Sequence, residues 1–524
     1  MRGVRGAAGT DPQAASTQVG PGARSATRVL VGILVVALAV RLWQLGQDSF
    51  WIDEISVVVS SRAGWVFASV RDRLGPWDPP ASFLLTAASL HLPFGLETAA
   101  RLPMALFGVV EVAALYALTR SLTPQRRTAL IAAGMLAVAP FAVRWSQEAR
   151  YYTMSSALHL LSWWALVEAI RGRKRWWWFA IITAASLLTN SFAWLALAAQ
   201  VVVVAADPAA RRARPAFARA ASVAVLLSLP WLVYEAAYWS FSGDRPLGFH
   251  EPGYFAVALD LDLLRRTVAH LLGNTSGMGW LAWILTLLAL SAPFVCRGRD
   301  RRLAFASLGY LGALTVAIVV LARLTGTYFA IRRVEFFLPV LLQLAALTAT
   351  RVPKRVTAVG VAAVLALSLP ATASVYREEK IGWREAAHVI ERSSPTTLVV
   401  LGPFPEAWYP LAQWYLAQLL PAPREVVAID RLSGDLVGRP RPVLWLTTAD
   451  PEHPAFATRA LNDPDRVRPL AGDRSLPLEP PFLSPLYASR SRVASSAELD
   501  LQSRLLGGPG LVGSTDQAPR VGAA

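Results

Sequence analysis

Charge is scarce along this chain. Asp, Glu, Lys and Arg make up 16% of its 524 residues, against 54% hydrophobic residues, whereas a soluble globular chain carries about 25% charged residues. That excludes an ordinary soluble domain. Cysteine is nearly absent: the single Cys296 rules out an intramolecular disulfide and any multi-cysteine metal site. It ends an apolar run beside "RGRDRR" and reads as a small apolar filler. Acids are outnumbered, with 35 Asp and Glu facing 51 Lys and Arg for a formal charge of +16. In a soluble protein such a surplus suggests nucleic acid. Here the arginines cluster in short loops between apolar runs, so no nucleic-acid partner is expected. There is no convincing internal repeat and no organelle signal, and the richness in Arg, Ala and Leu points to a bacterial plasma membrane.

What is present is a series of apolar runs, many near the roughly 20 residues that cross a bilayer core as a helix. They lay out about eleven spans, near 29–46, 102–119, 128–143, 152–170, 176–189, 191–206, 216–238, 280–296, 303–322, 334–350 and 356–374. Residues 1–27 are rich in Gly, Ala, Ser and Arg and read as disordered. The run after them is long for a signal-peptide core and is expected to stay as the first helix, with Arg41 snorkelling near its outer end. Every second loop is basic: the N-terminal arginines, Arg120 to Arg127, "RGRKR", "RRARPAFAR", "RGRDRR" and "RVPKR". By the positive-inside rule those loops and the N-terminus are cytoplasmic. The short run 79–95 then lies at the outer interface, inside a long outer loop 47–101, and the chain after the last span is extracytoplasmic. Residues 376–490 gain charge and proline. There "GWREAAHVIERS" and "PEAWYPLAQWYLAQLL" read as helices and "TTLVVLG", "EVVAI" and "PVLWLTT" as strands, which predicts a small α/β domain before a disordered tail, 491–524. The expected fold is an all-α polytopic membrane domain, 28–375, with that small domain attached.

The outer loops hold the chemistry-bearing residues. Asp53 and Glu54 follow the first span, Asp78 sits in "PWDPP", and "RWSQEARYY" brings Glu148, Arg150 and Tyr151 between the third and fourth spans. Arg332 and Arg333 stand in "TYFAIRRVEFFLP". Ionisable groups at membrane depth are costly and usually mark a site. A carboxylate can take a proton from an acceptor hydroxyl, arginines can hold a phosphate bidentately, and interfacial Trp51, Trp77, Trp145, Tyr151 and Tyr152 can stack on sugar faces. Each group has a plainer reading beside this one. The acid pair fits a solvated loop, "SQEARYY" an interfacial ion pair, the arginine pair headgroup contact, and Asp78 a turn. Glu111 inside the second span reads as a neutral or paired structural acid, His159 as a hydrogen-bonded core residue and Glu235 as an interfacial acid. Asn274 in "GNTSG" is a weak glycosylation match.

Four stretches together resemble the GT-C superfamily of integral membrane glycosyltransferases: "FWIDEIS", "DPPASFLLTAASLHLPFGLETAARLPMALFGVV", "PFAVRWSQEARYYTM" and "YFAIRRVEFFLPVLL". The likeness is to the bacterial branch related to dolichyl-phosphate-mannose protein mannosyltransferases and lipid A aminoarabinose transferases. It implies a polyprenyl-phosphate sugar as donor, mannose favoured, with a glycan, lipid or protein hydroxyl as acceptor, and an inverting displacement outside the membrane. On it Asp53 is the general base, Glu54 orients the acceptor or tunes Asp53, and Asp78 matches an often polar position before proline. Glu148 and Arg150 shape the donor site, and Arg332 or Arg333 meets the donor phosphate. The chain departs from the pattern at Thr189-Asn190, where relatives often carry Thr-His, and at Arg332-Arg333-Val334, where they often carry Arg-Tyr. No cofactor is implied beyond the lipid-linked sugar. The acids are compatible with a divalent cation held through oxygen, but their spacing forms no dedicated cage. Two other classes share the basic loops: a transporter or flippase of lipid-linked sugars, which would more often show internal symmetry and broken midplane helices, and a non-catalytic assembly protein that keeps the fold.

Overall fold

The computed structural model describes residues 21–62, 79–173, 175–190, 192–241, 271–272, 279–325, 335–376, 383–401, 409–428, 441–447, 467–469 and 487–493. The chain opens with α1 (Pro21–Leu42), followed by two short helices, α2 (Ile52–Arg62) and α3 (Ala81–Ser89). Next come α4 (Leu96–Leu122), α5 (Arg126–Ala137), α6 (Pro140–Ser146), α7 (Tyr152–Ile170), α8 (Trp176–Leu187) and α9 (Ala193–Ala206). Five further helices belong to the bundle: α10 (Arg214–Phe241), α11 (Gly279–Val295), α12 (Gly298–Thr325), α13 (Phe337–Ala349) and α14 (Lys354–Val375). Each apolar run read from the sequence overlaps a helix, the third of them two helices. By length and composition, Arg24–Leu42, Leu96–Leu122, Pro208–Tyr234 and Lys354–Val375 can cross a membrane, and α5 with α6 makes a fifth span if the bent pair is one. Outward faces are apolar, as at Val35, Leu226, Leu287, Phe294 and Val359. A patch of that size on a soluble protein would need a partner; on this multi-pass protein it meets lipid. At nine residues, α3 is too short to cross.

The core is organised on α4 and α7, which pack along each other, with α1 and α5 flanking α4 and with α8 and α9 against α7. Hydroxyl and other polar side chains run the length of α7, and each reaches a neighbour. Thr153 donates to Glu335 (3.0 Å) and Ser156 to Glu111 (2.5 Å). Ser155 accepts from Asn190 (3.1 Å), His159 pairs with Tyr310, and Ser162 shares a bond with Thr183 (2.8 Å). In a membrane, where apolar contact alone does not distinguish a helix from lipid, such bonds fix which helices touch. Cys296 is buried against α13, its thiol 3.9 Å from the Leu347 carbonyl.

The third apolar run is not one straight helix. α5 and α6 meet at 58°, at Pro140, which has no amide hydrogen to continue the ladder. Backbone freed at membrane depth has to be satisfied by protein. Arg41 does this, donating to the carbonyls of Ala137 (2.8 Å) and Leu136 (3.4 Å), and Thr372 covers Val138 (3.0 Å). The expectation that Arg41 snorkels outward is therefore overturned: it is fully buried. Gly108 makes the room, since a Cβ there would lie 2.3 Å from Arg41 Nε.

The basic loops gather at one end of this bundle. Arg299 donates to Ser121 (3.3 Å), Arg351 pairs with Asp300, and Thr128 bonds Thr350 (3.1 Å). Beyond α14 lie α15 (Trp383–Glu391) and α16 (Tyr409–Leu419), with strands β1 (Leu398–Leu401), β2 (Val426–Ala428), β3 (Arg441–Thr447), β4 (Val467–Pro469) and β5 (Tyr487–Val493). The sheet order is β2-β1-β3-β5-β4; β1 is parallel to β2 and β3, and β5 is antiparallel to β3 and β4. Leu398 to Leu401 are wholly buried at its centre, as a continuous apolar run in a parallel pair should be. β5 continues past the boundary expected at residue 490.

Candidate active site

At the end of the bundle opposite the basic loops, the chain between α1 and α2 makes a tight passage. Gln44 takes a left-handed conformation, φ 56°. Gly46 packs so closely on α4 that a Cβ would lie 2.0 Å from Thr98 Oγ1, so any side chain there would have to displace that hydroxyl. Arg101, in the second turn of α4, collects the carbonyls of Leu45 (3.1 Å), Asp48 (2.9 Å) and Ser49 (3.0 Å). It then grips Glu54 with two parallel bonds, Nε to Oε1 and Nη2 to Oε2, both 2.8 Å. Glu54 also accepts from the Ala149 amide (2.8 Å) and the Trp51 amide (3.3 Å).

Two adjacent acids therefore have opposite surroundings. Glu54 is fully buried, its side chain 0% exposed, and its oxygens are occupied by fixed donors. Of the two roles expected for Glu54, orienting an acceptor and tuning Asp53, an enclosed carboxylate suits the second, and its bonds join α2 to α4 and to the α6–α7 corner. Asp53, one residue earlier in the first turn of α2, is 31% exposed and lies 3.9 Å from Arg150. That distance is an ion pair and too long for a hydrogen bond, so the carboxylate is held in place yet can receive a hydroxyl proton.

The α6–α7 corner forms the wall facing Asp53. Arg150 is buried with its guanidinium over the rings of Tyr151 (5.2 Å) and Tyr152 (5.6 Å). The two tyrosines pack at 4.7 Å, and Trp145 meets Tyr152 edge-on at 5.4 Å. Glu148 is buried 3.5 Å from Arg144. The structure thus brings Asp53, Glu148, Arg150 and Tyr151 to one place. The α8–α9 corner adjoins it: Asn190 bonds Ser155 in the first turn of α7 and accepts from the Phe192 amide (2.9 Å), while the Leu188 carbonyl takes the Ala81 amide at the start of α3 (2.9 Å). Asp78, Arg332 and Arg333 lie outside the described residues, as do Trp77 and Asn274; so does the Glu235 side chain. Glu335, two residues after Arg333, accepts a hydrogen bond from Thr153.

Among the described residues, no three acidic, imidazole or thiol groups come together as metal ligands. The neighbour of Asp53 is a guanidinium, and a cation next to it is the wrong partner for a divalent ion. Sequence reading missed Arg101, because its span was drawn to begin one residue later, which left the arginine as the last residue of the long outer loop. An arginine on the edge of an apolar run is the signal that could have found it. Burial of the long Glu54 contact, 47 residues away in sequence, had no local trace.

Residues 78–234 match the model of the dolichyl-phosphate-mannose-protein mannosyltransferase family. No curated protein sequence matches the chain. Among solved structures, ArnT from Cupriavidus metallidurans in the apo state is similar at 16% identity and a TM-score of 0.56, covering 88% of this chain and 98% of that one. ArnT bound to undecaprenyl phosphate is similar at 18% identity and 0.53, with the same coverage. The oligosaccharyltransferase of Archaeoglobus fulgidus is similar at 14% identity and 0.50, covering 80% of this chain and 67% of that one. At such identities the likeness is one of fold.

Proposed function

From the GT-C glycosyltransferase fold that this chain shares, we propose that it moves a sugar from a polyprenyl-phosphate carrier to a hydroxyl acceptor, with inversion at the anomeric carbon. Mannose is the favoured sugar. The acceptor is a glycan, lipid or protein hydroxyl. The observation that carries this reading is the contrast at the acid pair: of two neighbouring carboxylates, only Asp53 is open to solvent, and it faces a guanidinium that itself lies over two tyrosine rings. The acceptor oxygen gives its proton to Asp53 and bonds to the anomeric carbon. The bond from that carbon to the phosphate oxygen breaks, and the polyprenyl phosphate leaves. The proton then passes from Asp53 to water. Positioned acid–base transfer of this kind contributes on the order of 10²- to 10⁴-fold.

Arg150 orients Asp53 across their ion pair. Tyr151, with the aromatic group behind it, offers a face to a sugar ring, and Glu148 holds Arg144 in the same wall. Arg332 or Arg333 supplies the guanidinium charge that the leaving phosphate needs, and Asp78 adds a polar group for substrate binding. In this reading about eleven helices cross a plasma membrane. The arginine-rich end is cytoplasmic and carries the N-terminus. The Asp53 end and the α/β domain are extracytoplasmic, where the positive-inside rule puts them.

The experiment is transfer of radiolabelled sugar from a panel of synthetic polyprenyl-phosphate sugars, in membranes holding the native protein or its Asp53→Asn form. Transfer by the native protein alone is expected, and it names the sugar. Equal transfer by both removes Asp53 as the base. No transfer from any donor to any of the three acceptor classes overturns the reaction.

A further inference from the structure

The passage between α1 and α2 is held from a second side, by the domain that follows α14. Arg384, in the first turn of α15, donates to the carbonyls of Gly46 (3.0 Å) and Gln47. Its amide donates to Ser49 Oγ (3.2 Å). On α16 the Tyr415 hydroxyl accepts from the Phe50 amide (3.1 Å) and donates to Glu97 (2.8 Å), and Glu97 in turn pairs with Arg384 (2.9 Å). Arg101 holds carbonyls 45, 48 and 49 from α4, so from Leu45 to Phe50 the backbone is shared between an arginine of the bundle and two side chains of the distal domain. The helix carrying Asp53 is also met at its far end, where Arg62 bonds Gln418 (3.3 Å) and lies 5.4 Å over the Trp414 ring.

These contacts are not a loose docking of one domain on another. Tyr415 is wholly buried. Burial, and secondarily the Glu97 carboxylate, push its phenol well above the ordinary tyrosine value, so it stays a donor to Glu97. Loop amides and carbonyls left without such partners would be free to move, and Asp53 begins three residues after the last of them.

We infer that Arg384 and Tyr415 are positioning residues for Asp53, and that the distal domain is a working part of the transfer site. This rests on the transfer reaction proposed above. The residues touch no reacting atom. They act through the 46–50 backbone, which sets where the first turn of α2 stands. A displacement of about 1 Å of a reacting group can cost on the order of 10²-fold.

The test uses the full-length protein in lipid nanodiscs, with Tyr415→Phe, Arg384→Ala and Arg384→Lys. Hydrogen exchange is followed for residues 46–54, and kcat and donor KM are measured with whichever polyprenyl-phosphate sugar the native protein uses. Tyr415→Phe keeps the ring and removes only the hydroxyl. Tyr415→Phe and Arg384→Ala are expected to speed exchange within 46–54 and not in α11. They should lower kcat about ten- to hundredfold and leave donor KM within about twofold. Arg384→Lys keeps the charge toward Glu97 with one nitrogen for several acceptors, and should recover part of kcat. Unchanged exchange at 46–54, or native kcat in the first two variants, overturns the inference while the reaction stands. Faster exchange throughout the bundle with kcat and KM failing together also overturns it, since that is loss of structure. If the native protein transfers no sugar, the reaction has failed, and with it the catalytic part of this inference; local exchange then decides only the clamp.

Discussion

The two ends of the helix bundle treat charge in opposite ways. At the basic end Arg126, Arg127, Arg173, Arg211, Arg299 and Arg301 are exposed, and where they bond they bond lightly, as Arg299 does to the Ser121 carbonyl. At the other end Glu54, Glu97, Arg101, Arg144, Glu148 and Arg150 are all buried, and each is aimed at a specific partner. On the topology proposed above, exposed charge at the basic end serves orientation, which needs only a count of arginines on one side, and the Arg351–Asp300 pair is the specific contact there. Charge at the site end is geometry, and moving one group disturbs its neighbours. Asp53 stands apart from both: held like a site residue, exposed like a loop residue.

That contrast can be broken by making the same isosteric change at adjacent positions. Glu54→Gln leaves the buried Arg101 guanidinium without its carboxylate, and breaking a buried pair in this way costs about 3–5 kcal/mol. The expected outcome is loss of monodisperse protein on purification, or a markedly lower thermal midpoint. Asp53→Asn is expected to lower transfer by on the order of 10²- to 10⁴-fold, with the midpoint close to native; unfolding of this variant would erase the distinction between the two acids. Arg150→Lys sharpens the comparison within the site. It keeps the charge near Asp53 but loses the guanidinium contact over Tyr151 and Tyr152, a loss of roughly 1 kcal/mol that steady-state kinetics would read as a severalfold drop in kcat/KM. At the basic end, Arg299→Ala should change stability by less than about 0.5 kcal/mol. A larger effect in a thermal melt would mean that this end, too, is built from specific contacts.

Much of the scaffold was legible because a membrane imposes it. Apolar runs punctuated by arginine-rich loops located α7, α8 and α9 closely, and the shortness of 79–95 marked α3 as too short to cross; α4 opens six residues before its expected start, and α1 eight residues before, inside the stretch 1–27 expected to be disordered. Three kinds of feature were not legible. The break at Pro140 was read through, because composition across 128–143 is apolar on both sides of it and only the missing amide hydrogen betrays the kink. Arg41 was placed by its distance from a helix end, yet its acceptors are carbonyls nearly a hundred residues away. β4 and β5 carry no apolar alternation; "YASRSRV" gives a strand only because β3 supplies an edge to pair with. At the site, residue types and order were enough to collect Asp53, Glu148, Arg150 and Tyr151. They were not enough to divide labour between Asp53 and Glu54, since exposure is decided by Arg101, a residue no local pattern connects to them.

The lone thiol has a practical consequence. Cys296 is 1% exposed, so the natural chain is already nearly blank to maleimide reagents, and no cysteine-free version has to be engineered first. Gly95, with nothing within 4 Å of a Cβ placed there, and Arg173, its side chain 67% exposed, offer attachment points at opposite ends of the bundle. A single cysteine at either one would be the accessible label on the molecule. A membrane-impermeant dye applied to intact cells could then tell the two ends apart by colour alone.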